Sequence, residues 1–90
     1  MNSKKTYLWQ LAAFLHAHEM VMSGEELADH LNRNKFLTGY GEEYEGGRGI
    51  YTLIRVTWKW LHDDLGLEAE AMHVARAFVK PDGGYAYEGE

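Results

Sequence analysis

The chain has no cysteine, one proline and two serines, and its bases are fewer than its acids, nine against fourteen in 90 residues. Each shortage excludes something. Without cysteine there is no disulfide framework, no thiolate metal site and no cysteine nucleophile, which fits a reducing compartment, and a cytoplasmic location is expected. A net charge of −5 argues against nonspecific wrapping of DNA and against an acidic membrane surface. No apolar run comes near the ~20 residues that a bilayer-spanning helix needs, so no membrane partner is expected. Lys4 and Lys5 ahead of Tyr7 to Leu15 imitate a signal peptide. Gln10 interrupts the apolar run, however, and His16-Ala17-His18-Glu19 is a poor cleavage region, so an untargeted chain is expected.

What is present points to a packed core. The sequence is 46% hydrophobic, with three Trp, six Tyr and three Phe, a composition of globular rather than disordered chains. Ninety residues make a single domain, 1–90, that buries about 60 to 65% of its unfolded surface. No internal repeat or low-complexity run divides it.

In chain order, Leu8, Leu11, Ala12 and Leu15 predict a first helix from Lys5 to about Met20. Met20-Val21-Met22 reads as an extended exit. Ser23-Gly24-Glu25-Glu26 is a capping box, with Met22 and Leu27 at the hydrophobic-staple positions. The second helix runs about ten residues to Asn32–Asn34, where an asparagine is expected to take the left-handed closing conformation. Phe36 to Tyr44 has aromatics among glycines and acids and no helical period, so a tight ribbon or structured loop is expected. After a central helix, Gly66 reads as a stop, and a fourth helix is expected over about Glu68 to Val79. Lys80-Pro81-Asp82-Gly83-Gly84 is a turn. Tyr85 to Tyr87 follows as a short strand that pairs with the Phe36–Tyr44 segment or lies back on the helices. The fold class is therefore mostly α: a small helix-turn-helix-like domain of about four helices with a short β ribbon or tail, a winged form being open.

The central helix, read from Arg48 to Leu65, carries the functional signal. Gly46 to Lys59 holds three bases and no acid. At about 100° per residue, Arg48, Thr52, Arg55 and Lys59 fall within roughly 60° of one another. Ile50, Leu53, Ile54, Thr57, Trp60 and Leu61 gather opposite them. A helix so divided offers an apolar face to the core and a narrow basic and hydroxyl face outward. Its start, at Arg48, lacks the acids that the helix dipole favours there. A phosphate on the backbone amides and Arg48 would meet that need, as would Glu45 acting as a cap.

Leu27-Ala28, Leu31-Asn32-Arg33-Asn34, Phe36, Thr38, Gly41 and Tyr44, followed by the Ile50/Leu53/Ile54 helix, resemble a segment near the C-terminus of large serine recombinases. The same pattern is similar to helix-turn-helix modules of phages and mobile elements. The resemblance covers residues 27–61 and implies DNA binding by the module. No recombinase catalytic domain accompanies it here, so strand exchange is not implied. The expected function is a small DNA-binding regulator or accessory factor of phage or mobile-element type, acting on double-stranded DNA and expected to dimerise. Arg48, Thr52, Arg55 and Lys59 are the expected contacts, with Arg33 and Lys35 flanking on phosphates. Tyr51, Trp58, Tyr85 and Tyr87 are candidates for a protein interface, since aromatics serve as interface anchors.

The alternative is an acidic protein-binding module, an inhibitor or adaptor that binds a host protein and no nucleic acid. It is favoured if Glu42, Glu43, Glu45 and Asp63 cover the basic stripe. An enzyme is not expected. His62-Asp63-Asp64 are adjacent and diverge on a helix, and the glycines lack the lysine and hydroxyl of a phosphate-binding loop. His16 and His18, two apart, point about 200° away from each other on a helix, so no metal and no cofactor are expected.

Overall fold

The computed structural model describes residues 3–36, 41–44 and 49–87. They form four α-helices: α1 (Ser3–Ala17), α2 (Gly24–Arg33), α3 (Ile50–Lys59) and α4 (Glu68–Ala77). A five-residue π turn, Trp60–Asp64, continues α3. Two short strands, β1 (Met22–Ser23) and β2 (Phe78–Val79), pair in parallel, with Met22 opposite Phe78 and Ser23 opposite Val79. None of the described helices is long and apolar enough to cross a membrane. The molecule is thus a small, mostly α domain.

α1 forms because Leu8, Ala12 and Leu15 recur on one face, and all three are buried. It ends three residues before the expected Met20. Glu19 turns left-handed, at φ 54°. Met20 N–H donates to Leu15 O at 2.8 Å and Glu19 N–H to His16 O at 3.1 Å, the paired bonds of a Schellman closure. α2 ends the same way: Phe36 N–H donates to Leu31 O and Lys35 N–H to Asn32 O. The left-handed residue is Lys35, at φ 65°, and not one of the asparagines. Asn34, the residue before it, has φ −95°. The Ser23 capping box at the start of α2 is present in both directions, at 3.1 and 2.9 Å.

The apolar side of the central helix enters the core as its period requires. Ile50, Ile54, Thr57 and Leu61 are buried, and the Thr57 hydroxyl donates to Leu53 O at 2.8 Å, which satisfies it. The expected uninterrupted α-helix from Arg48 to Leu65 is corrected at both ends: it begins at Ile50, behind Gly49 as N-cap, regular winding stops at Lys59, and one wider turn follows. Leu65 N–H donates to Trp60 O at 3.1 Å, five residues back, as π winding demands. Trp60 meets Trp9 edge-on, with ring centroids 5.9 Å apart. Gly66, at φ 68°, closes the helix as expected.

α4 stops at Ala77 rather than Val79, because Phe78 turns extended (φ −120°, ψ 140°) to pair with β1. Phe78 is fully buried. The Lys80–Gly84 turn then returns the chain antiparallel, with Val79 bridged to Tyr85 and Ala86 N–H donating to Phe78 O. Among the described residues, the tail therefore pairs with Phe78 and Val79. Of the Phe36–Tyr44 segment, Gly41 to Tyr44 contains no strand, and residues 37–40 lie outside the described residues. α1 and α4 meet along one seam, where His16 and His73 stack with centroids 3.8 Å apart and planes 18° from parallel.

Candidate nucleic-acid interface

α3 is positioned from three sides, by α1, α2 and α4. Its start is held indirectly by Tyr44, a buried residue whose ring lies where any side chain at Gly49 would touch it. Tyr44 is fixed in turn by the Asn32 side chain of α2 and by Lys4, whose Nζ donates to the Tyr44 hydroxyl at 2.9 Å. These contacts bring the end of α2 to the start of α3.

With Ile50, Ile54 and Thr57 inward, the outer face of α3 is set. Thr52, Arg55 and Lys59 are all exposed on it. Val56, one turn from Thr52 and Lys59, is exposed too. Arg48 and Glu45 lie outside the described residues, as do the contacts proposed for them. Gly49 occupies the N-cap at φ 77°, no side chain caps the helix, and no acid stands in its first turn. Leu53 N–H donates to Gly49 O at 3.1 Å.

The electrostatics of this face depend on where the acids go. Among the described residues, neither Arg55 nor Lys59 forms an ion pair. Asp63 faces His62 instead, with Oδ1 2.8 Å from Nδ1, which corrects the expectation that these neighbours diverge. Glu43 is exposed. Arg33 and Lys35 are exposed at the end of α2, next to Asn32, which holds Tyr44. The structure thus joins Thr52, Arg55 and Lys59 on the outer face of α3 and exposes Arg33 and Lys35 at the end of α2.

The four aromatics take different places. Tyr51 is half-buried against the start of α2, where a Cβ on Gly24 would come within 2.7 Å of its hydroxyl. Trp58 stacks on His62 at 4.5 Å and meets Tyr87 edge-on at 5.2 Å, so both rings are largely used within the chain. Tyr85 is exposed, with the Arg76 guanidinium 5.8 Å from its ring centre. Sequence reasoning missed Val56, whose position at the edge of the basic arc hid it. It also missed the partnership of Tyr44 and Asn32, for which no local pattern exists.

Among the described residues, no group of three or more His, Asp or Glu side chains is arranged to hold a metal ion. What the site defines is a class: a small, mostly helical domain with one amphipathic helix whose outer face is basic. In comparisons with known proteins, no family model, no curated protein and no solved structure matches the chain.

Proposed function

We propose that the protein binds double-stranded DNA, presenting the outer face of α3 to the major groove. The observation that carries this reading is the exposure of Thr52, Arg55 and Lys59 on one face, with no acid paired to either base among the described residues. A helix fits the major groove, where an arginine can donate two hydrogen bonds to a guanine edge and a lysine can neutralise a phosphate. Thr52 and Val56 offer methyl groups of the kind that contact thymine. Arg33 and Lys35, at the end of α2, would reach the flanking backbone. A chain of net charge −5 would bind through these local bases, with its exposed acids opposing nonspecific contact. The role is that of a small regulator or accessory factor.

The test is binding of the purified protein to a mixed duplex pool at several salt concentrations, beside an Arg55→Ala/Lys59→Ala variant. Salt-sensitive binding that the variant loses supports the reading, and the slope gives the number of phosphates neutralised. No binding at low salt sinks it and directs the search to protein partners.

A further inference from the structure

The α3 face takes no part in an open groove of about 390 Å³ between the end of α1 and α4. Met20, Val21, Met72 and Tyr85 line it, at 52, 57, 47 and 43% exposed. Single exposed apolar side chains are ordinary on a monomer; here four of them gather around one concave surface and leave apolar area for a partner to cover.

The charges of the groove say what would cover it. Glu19, in the closing turn of α1, and Arg76, in the last turn of α4, both line it. They come from different walls, and among the described residues neither forms an ion pair within the chain. Arg76 leans instead toward the Tyr85 ring. One wall thus carries an acid and the other a base, which is the arrangement a surface needs in order to pair with itself. A two-fold rotation lays each wall on the opposite wall of a second copy, so that residue i meets j and j meets i. Glu19 then faces the partner's Arg76, and Arg76 faces the partner's Glu19.

We propose that this groove is the interface of a two-fold symmetric homodimer, sealed by Met20, Val21, Met72 and Tyr85 and registered by two reciprocal Glu19–Arg76 pairs. The interface does not rest on the DNA reading, since it uses none of the α3 residues and is measured without DNA.

The experiment is sedimentation equilibrium of the full chain from about 1 µM to about 1 mM, the range of weak to moderate association. The wild-type chain is expected to show a reversible monomer–dimer equilibrium. Met72→Asp is expected to remain monomeric throughout. Glu19→Arg and Arg76→Glu are each expected to raise the dimer dissociation constant at least about tenfold, because each substitution sets like charges opposite one another twice per dimer. Mixing those two variants is expected to restore association, since every cross-pair is then again an acid against a base. All three positions are exposed, and far-UV circular dichroism verifies that each variant is folded. A wild-type chain that stays monomeric to about 1 mM overturns the proposal. So does a dimer indifferent to Met72→Asp, or a pair of charge-reversed chains that fail to recover on mixing.

Discussion

Asn32 and Tyr44 are joined by two hydrogen bonds that imitate a β-bridge. The Asn32 side-chain amide donates to Tyr44 O at 2.9 Å and accepts from Tyr44 N–H at 2.8 Å. A side chain thereby performs for residues 41–44 what a neighbouring strand would do. Asn32→Ala leaves both backbone groups of Tyr44, a buried residue, without these partners. The expected loss is about 2 to 3 kcal/mol of stability in urea unfolding. Asn32→Asp is expected to cost as much, because a carboxylate would then face a carbonyl oxygen. Tyr44→Phe removes only the bond from Lys4 and is expected to cost about 1 kcal/mol or less.

Tyr87 presents the opposite case. Its hydroxyl is buried and has no hydrogen-bond partner among the described residues, while its ring packs edge-on against Trp58. Tyr87→Phe keeps the ring and removes the unsatisfied group. It is expected to raise stability by about 1 kcal/mol, read as a higher midpoint in denaturant at unchanged slope.

Two of the helix closures can be tested against each other. Lys35 is left-handed at φ 65° and Gly66 at φ 68°, the same backbone state filled by residues of unlike cost. Lys35→Gly is expected to stabilise the protein by up to about 1 kcal/mol, and Gly66→Ala to destabilise it by about 1 kcal/mol. Thermal unfolding separates the two signs. If Lys35 also contacts phosphate, the more stable Lys35→Gly variant binds DNA less tightly, so stability and affinity move in opposite directions.

For the α3 face, Lys59→Ala alone is expected to reduce the salt slope of DNA binding by about 0.9, the loss of one phosphate contact. Arg55→Ala is expected to relax sequence preference, at about 1 to 3 kcal/mol for the base it reads. Competition titrations between selected and random duplexes distinguish the two effects. Both positions are exposed, so unfolding temperatures should hardly change.

Features that depend on near neighbours were legible in the sequence. The Ser23–Glu26 box, the buried set Ile50, Ile54, Thr57 and Leu61, and the stop at Gly66 each follow from spacings of a few residues. The exposure of Thr52, Arg55 and Lys59 followed from the same period. What escaped depends on distant partners. Phe78 leaves α4 because Met22 waits 56 positions upstream, and no local pattern announces a two-residue parallel pairing. Tyr85 finds Val79 because the turn before it is tight enough to fold the chain back on itself. The left-handed Lys35 escaped because asparagine has the better intrinsic preference, and the bonds closing on Leu31 and Asn32 override it. The groove between α1 and α4 had no signature, since Met20 and Met72 come together only when the helices pack.

The wide turn at Trp60–Asp64 has a consequence for how this chain tolerates changes in length. It accommodates one residue more than an ordinary α turn, so within these five positions the backbone already carries a surplus. Deletion of one of the exposed residues Asp63 and Asp64 would let the winding tighten to α while Trp60 still reaches Trp9 and Gly66 still closes the helix. One more inserted residue would have no such slack to occupy, and would rotate everything downstream out of phase with the core. Over most of a helix, loss and gain of a residue are equally ruinous; here the molecule has a preferred direction.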